Sequence, residues 1–393
     1  MPHERNRHGI EILKKYASFS PSVGVVGLRQ VGKTTLLSQQ LGIKNLYSLD
    51  DLSLREEATS SPRTFLSKLS LPCVIDEIQK APNLFDALKL KIDTKRVPGR
   101  YYVTGSTEFS AKVGVRESLT GRMAMLQLFP MTLAEAHQLP LSGARLKMPN
   151  HSLSPRLGAE AAGDALLKGG LPVPLFLRDP EARRLYLDQW IETALVRDLP
   201  KVFGRSYDLD LARNVLERMG QVMRDGEVPS LGHFKMESRK LRRYLFALEG
   251  IFLVRRVPCH EEGTGLDRWM LGDGGLAASI MSASHGEGVT LSLARHLVLN
   301  EILAGRQYVG HPLHPRYYKS AQAKEGVDLV WDGIPIKILH APPSRIPLGW
   351  YEKPVIGAMK KLGAKVGLLV APVDQADLPK KGGIGIVPWT HWS

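Results

Sequence analysis

The sequence predicts an α/β protein: a parallel sheet built around a phosphate-binding loop, then a helical region, then a second α/β unit. Three observations predict it. A β-branched stretch (Val23, Val25, Val26) runs into the glycine-framed string Gly27, Leu28, Arg29, Gln30, Val31, Gly32, Lys33, Thr34, and Thr35, Leu36 and Leu37 continue as a helix. A second apolar stretch, Cys73 to Ile75, ends in the acid pair Asp76 and Glu77. Far downstream, two apolar runs flank Asp332-Gly333, a strong hairpin signal.

The order strand, glycine loop, helix is what phosphate chemistry needs. The glycines let backbone N–H groups turn inward around a polyphosphate, and the following helix points its positive end at the anion. Lys33 is expected to reach the β- and γ-phosphates of ATP, and Thr34 to offer its hydroxyl to Mg²⁺. Residues Gly27 to Thr35 are therefore the expected nucleotide-binding set. Asp76 is expected to hold Mg²⁺ through water, and Glu77 to orient and polarise the attacking water.

Tyr47 to Asp50 reads as the second strand and Tyr101 to Val103 as the fourth. Ser106, just past the latter, either senses the γ-phosphate or belongs to a simple Gly-Ser turn. Arg122 stabilises transition-state charge, in its own subunit or across a homo-oligomer interface, or is a surface arginine.

The strings Gly27 to Leu37, Val74 to Pro82, Val103 to Ser106 and Leu119 to Arg122 together resemble one group of proteins. These are the bacterial and archaeal AAA-type P-loop ATPases that carry a C-terminal region of uncharacterised function. The resemblance continues through Gly169 to Pro172, Arg197 to Pro200, Leu248 to Val254 and Asp273 to Leu276, and so covers nearly the whole chain. It implies ATP binding and leaves the cellular role open.

At 393 residues, two or three domains are expected, and a hydrophobic fraction of 43% suffices for sizeable cores. The two cysteines, Cys73 and Cys259, exclude a disulfide framework and lack zinc-site spacing. The polar N-terminus shows no signal-peptide core, and no apolar run is long enough to span a bilayer, so a cytoplasmic setting is expected. A net charge of +14 raises nucleic acid as a partner without specifying it.

The ATPase domain is expected over 1–138 and a Pro-, Ser- and Gly-rich linker over 139–163. A helical region over 164–260 follows. Glu181 to Leu199 reads as one helix, in which Arg197-Asp198 is either an internal ion pair, the preferred reading, or a contact with the nucleotide domain. Helical pieces from Asp208 close on a strand-like Ile251 to Val254, the pattern of a helix-turn-helix with a wing. In the helix near Glu237 to Glu249, Leu241, Leu245 and Leu248 make an apolar face. Arg239 and Arg243 lie opposite, with Lys235 and Arg242 near the edge. This ridge either contacts DNA or is a solvated face.

Residues 261–393 read as helix, strand, strand, helix, strand, with Leu291 to Leu303 helical. In the family this region resembles a restriction-endonuclease-like fold, whose site needs an acid and then Glu-x-Lys. Asp328 holds the first place, but Lys337 stands where the family has glutamate and Leu339 where it has lysine. A cation in place of a carboxylate repels a metal, so nuclease activity is not expected unless Glu301 or Glu325 rebuilds the site. The expected activity is Mg²⁺-dependent ATP hydrolysis to ADP, as a switch that acts on DNA. A DNA-binding regulator with nucleotide-controlled affinity and a nucleotide-gated nuclease are the alternatives.

Overall fold

The computed structural model describes residues 5–107, 121–146, 156–282, 286–379 and 382–393. Its first sheet comprises β1 (Ser22–Val26), β2 (Asn45–Ser48), β3 (Cys73–Asp76), β4 (Tyr101–Gly105) and β5 (Met123–Gln127), in the order β2-β3-β4-β1-β5. Every neighbouring pair is parallel. β1 and β4 are buried along their whole length, as central parallel strands covered on both faces must be. β4 separates β1 from β3. The loops after these three strands therefore converge at one edge, the carboxyl ends where open parallel sheets bind ligands.

β2 begins two residues earlier than expected and stops at Ser48. Asp51 ends it by capping the next helix, Leu52–Ser60: its carboxylate accepts the Leu54 N–H at 2.9 Å.

The expected linker is structured at its far end, where the alanine-rich segment Ala159–Leu166 is helical. Asp179 caps Pro180–Thr193, which passes through a π-helical turn, Ala194–Asp198, into Leu199–Phe203. Pro200 has no N–H for the Val196 carbonyl, and the ladder slips: Leu199 N–H bonds the Ala194 carbonyl instead.

The helix Leu209–Arg224 follows, then Ser230 bridging to Arg268, a short 3₁₀ turn, the helix Ser238–Gly250, and an antiparallel ribbon of β6 (Val254–Val257) and β7 (Arg268–Leu271). The strand expected over Ile251 to Val254 is displaced. Ile251 and Phe252 instead terminate the helix, with Phe252 at φ 61° and its N–H on the Glu249 carbonyl at 2.8 Å. The ribbon thereby carries Arg255 and Arg256.

The expected Leu291–Leu303 helix is longer, Glu287–Tyr308. It leads to a second sheet, ordered β12-β11-β10-β9-β8, of β8 (Arg316–Tyr318), β9 (Val327–Trp331), β10 (Ile334–Ile338), β11 (Val366–Ala371) and β12 (Gly383–Pro388). β9 and β10 form the expected hairpin, with Asp332 at φ 46° and Gly333 at φ 82° as a type I′ turn requires. β8, too short to leave a pattern, had no counterpart in the sequence reading. Among the described residues no helix is long and apolar enough to cross a membrane.

The long helix joins the two sheets. The Tyr308 hydroxyl accepts the Phe129 N–H at 3.1 Å, and the Glu301 carboxylate accepts the Leu133 N–H at 2.7 Å and the Ser393 hydroxyl at 3.0 Å. Burial pushes the Glu301 pKa up to about 8. Its folded value therefore lies above its unfolded one. The stability it contributes is full at low pH and is lost as pH rises towards 8, by on the order of 1.4 kcal/mol per pH unit. Glu301→Gln keeps an acceptor for Leu133 and cannot ionise. Thermal melts from pH 5 to 8.5 should show a flatter pH dependence for this variant than for the wild type.

Candidate functional site

The loop after β1 bends through Gly27 at φ 147° and Gly32 at φ 101°. A Cβ on Gly27 would stand 2.3 Å from the Leu128 carbonyl oxygen, so both backbone conformation and space demand glycine there. Lys33 is buried, and its Nζ donates to the Gly27 and Leu28 carbonyls at 2.9 Å each. Burial pushes its pKa down to about 8, against the opposing pull of Glu77 and Asp76. A polyphosphate offers this amine better partners than two neutral carbonyls.

Thr34 Oγ1 donates to Asp76 Oδ1 at 2.9 Å, and the Thr104 hydroxyl contacts the same oxygen. A hydroxyl and a carboxylate are the hard oxygen donors Mg²⁺ takes, so Thr34 and Asp76 fit the ion and would hold it. Next to them Glu77 sits in the left-handed region at φ 57°, a strained conformation for a side-chain-bearing residue. Its N–H bonds Thr104 Oγ1 at 3.2 Å, and its carboxylate takes the Ser106 hydroxyl at 2.9 Å and the Gln79 amide. Ser106 thus points at Glu77. Thr104 lies nearer the acid-hydroxyl pair.

A cleft of about 510 Å³ opens over Lys33 and Thr34. It gathers residues that the motif reading did not assign. Arg7 is buried against the loop: Nη1 donates to the Val31 carbonyl at 2.7 Å, Nη2 to Phe129 at 2.6 Å, and Nε to Glu135 at 3.1 Å. Met131, Pro172, Val173 and Phe176 form an apolar wall, with the Arg5 guanidinium 5.2 Å from the Phe176 ring centre. Such a wall suits the flat face of a base. The only signal for it was the Gly169 to Pro172 string. Arg7 left none, because nineteen intervening residues separate it from the loop it braces.

The geometry bears on three expectations. Arg122 lies at the wrong end of the sheet: its carbonyl bonds Ser22 N–H at the start of β1, while the nucleotide loop follows the end of that strand, roughly 15 Å away. Its guanidinium is paired with Asp93 at 2.8 Å, so a role in its own subunit's site is excluded. Arg197 and Asp198 form the expected ion pair at 3.3 Å, and the pair also reaches the nucleotide domain. Asp198 is buried and accepts from Arg29 of the nucleotide loop at 3.3 Å, and Arg197 lines the same cleft as Lys33. Finally, no metal site is rebuilt in the second sheet. Glu301 faces Leu133, Glu325 is bound to Lys337 at 3.0 Å, and Asp328 is paired with Arg295 at 2.8 Å. Among the described residues no group of three His, Cys, Asp or Glu side chains could hold a metal.

Of the basic ridge, Arg239 and Arg242 are exposed, as is Lys235, which precedes the helix rather than lying in it. Arg243 is exposed too but tied down: it donates to the Phe203 carbonyl at 3.2 Å and stacks on that ring at 4.4 Å.

The fold and this arrangement define a P-loop ATPase domain. Residues 20–137 match the family described as AAA domain. Uncharacterized proteins of Mycobacterium tuberculosis and Mycobacterium bovis are each 28% identical over 250 residues, which is 62% of this chain and 51% of theirs. The chain spans about half the length of these curated relatives. Similar solved structures include a Walker-type ATPase of Pyrococcus abyssi, at 13% identity and TM-score 0.39, covering 69% of this chain and 94% of that one. The ORC1 protein of Aeropyrum pernix in complex with DNA has 15% identity and TM-score 0.29, covering 72% and 94%.

The Lys33 pKa carries a consequence for ligand binding. A phosphate partner favours the charged amine, so binding above pH 8 requires proton uptake. ATP affinity should be flat below about pH 8 and fall by up to about tenfold per pH unit above it. Calorimetry in buffers of different ionisation enthalpy should detect the proton at pH 9 and none near pH 7.

Proposed function

We propose that the chain is a Mg²⁺-dependent ATPase whose nucleotide state controls the contact between the P-loop domain and the helical region, and that this region acts on DNA. One observation carries the reading: Arg29 of the nucleotide loop is held by Asp198 of the helical region at 3.3 Å, while Arg197 lines the cleft of Lys33 and Thr34. Lys33 grips the β- and γ-phosphates, Thr34 and Asp76 hold Mg²⁺, and Glu77, steadied by Ser106 and Gln79, orients water. Arg197 takes the part of transition-state cation. A γ-phosphate competes with Asp198 for Arg29 and Arg197. Binding therefore loosens the link between the two parts, and hydrolysis restores it.

The division near residue 138 remains a proposed domain limit, but the limit near 163 moves to before the Ala159–Leu166 helix and the one near 260 moves past Leu271, because β7 completes the ribbon with β6. Within the middle part, the order helix, Ser230 bridge, short turn, helix and ribbon supports a winged helix, with Ser238–Gly250 as its recognition helix. The last domain is proposed as an inactive nuclease-like fold. Two free cysteines suit a cytoplasmic setting.

ATP turnover tests the catalytic assignments. Glu77→Gln and Arg197→Ala should each lower it by roughly 10–10³-fold, and Arg122→Ala should leave it within about twofold. Loss in Arg122→Ala with Arg197→Ala intact would move the catalytic cation to an interface between subunits. Equal background rates in wild type and Glu77→Gln would remove hydrolysis altogether.

For DNA, the double variant Arg239→Glu, Arg242→Glu reverses two charges that have no ion pair among the described residues, without disturbing the packing that Arg243 provides. It should abolish binding in a mobility-shift titration and flatten the salt dependence. Binding equal to wild type would leave the ridge a solvated face.

A further inference from the structure

A second, larger cleft of about 1070 Å³ opens on the other side of Glu77. One wall is the edge of the first sheet, with Glu77, Gln79 and Ser106; the other is the helical region, with Val202, Phe246 and Arg255. The volume exceeds the roughly 300–1,000 Å³ of ordinary small-molecule sites. Val202 and Phe246 also line an adjoining hollow under Arg239, Arg242 and Arg243, so the two form one continuous path.

The path is cationic. Among the described residues, Arg55, Lys80, Arg197, Lys201 and Arg255 line the cleft, with Glu77, Asp198 and Glu249 as its carboxylates. Burial holds Lys80 below the ordinary lysine range, and the crowding charges of Lys201 and Arg197 add to it. The Arg255 guanidinium makes no hydrogen bond or ion pair with any described residue; it rests 4.8 Å from the Phe129 ring centre. Burial pushes its pKa down to about 10, against the opposing pull of the Glu249 carboxylate.

Outside the cleft, Arg239, Arg242, Arg243 and Phe246 fall at i, i+3, i+4 and i+7 and form one stripe along the Ser238–Gly250 helix. Phe246 is 45% exposed, and the Trp269 ring, edge-on with centres 5.6 Å apart, supports it.

We infer that a single-stranded nucleic acid lies along this stripe and enters the cleft, one base stacked on Phe246 and its phosphates on Arg242 and Arg255. The inference rests on the reading of the helical region as a DNA-contacting part and specifies its ligand. A duplex keeps its base faces inside the stack and leaves Phe246 without a partner, whereas unstacked bases present them. An acidic peptide would satisfy the cations but gain nothing from the aromatic platform. A strand in the cleft also meets Gln79 and Ser106, the two groups that hold the Glu77 carboxylate, and so couples its binding to water activation.

The test uses the full chain with an oligothymidylate of about 30 nucleotides, long enough for several site sizes, a duplex of equal length, and polyglutamate. Fluorescence anisotropy reads binding and phosphate release reads turnover. The oligothymidylate should bind more tightly than the duplex and change the turnover rate. Phe246→Ala should weaken its binding by about 5- to 150-fold, the value of one stacked base, with turnover in the absence of DNA unchanged. Arg255→Gln should lower the slope of log affinity against log salt by about 0.7, one phosphate contact. Duplex bound as well as single strand, with Phe246→Ala silent, overturns this inference and leaves the DNA reading intact. No binding of either nucleic acid sinks both. Polyglutamate displacing the oligothymidylate and altering turnover equally assigns the cleft to an acidic peptide instead.

Discussion

The position of everything beyond the first sheet depends on one buried carboxylate. Asp273 Oδ2 accepts the Gly170 N–H at 2.6 Å, and Oδ1 accepts Gly275 and Leu276 at 2.9 and 3.1 Å, so a single side chain caps the Gly274–Ile280 helix and grips the Gly169-Gly170 turn. The Gly170 carbonyl in turn takes the Met131 N–H at 2.7 Å, tying the turn to the end of the ATPase domain. A Cβ on Gly169 would stand 2.2 Å from the Gly275 nitrogen, and one on Gly170 2.4 Å from the Met131 oxygen. Backbones approach this closely only where both side chains are absent. Pro172 follows at once, which sets the apolar wall of the nucleotide cleft and starts the path to Arg197.

From that anchor the helical region reaches back to the nucleotide loop through a defect in its own helix. The π-helical turn at Ala194–Asp198 follows from Pro200, which cannot satisfy the Val196 carbonyl. Inserting a residue per turn there rotates Arg197 and Asp198 relative to a regular helix and brings both to the nucleotide side. A local backbone irregularity thus becomes the contact surface between two parts of the chain. The strain at Glu77 is of the same kind: a left-handed residue after β3, retained because Thr104, Ser106 and Gln79 hold its groups.

The second sheet shows the opposite use of charge. Burial pushes the Asp328 carboxyl up, but the Arg295 guanidinium and the Lys337 amine outweigh it and hold the carboxyl below the usual range. Its second oxygen takes the Ile338 N–H at 2.8 Å. Two cations thus surround an acid that would need other carboxylates beside it to bind a metal. A buried pair of this sort is costly to break once formed, because either partner left alone is an uncompensated buried charge.

The nucleotide loop, the acid pair, the strand β4 and the β9–β10 hairpin were legible in the sequence because each is local. Their chemistry is written in consecutive residues whose backbone geometry demands glycine, a hydroxyl or an acid at fixed spacing. The apolar face of the Ser238–Gly250 helix was legible for the same reason, since helical periodicity is a local property; Leu241, Leu245 and Leu248 are all buried. Tertiary structure alone decided which distant charges share a site. Arg122 follows β4 in sequence yet lies at the far end of the sheet, because a parallel strand must return to its starting edge before running forward again. Arg7, Arg197 and the Asp273 anchor come from segments more than seventy residues apart. They meet only where folding closes the loops between them, and no pattern within a window of sequence records that closure.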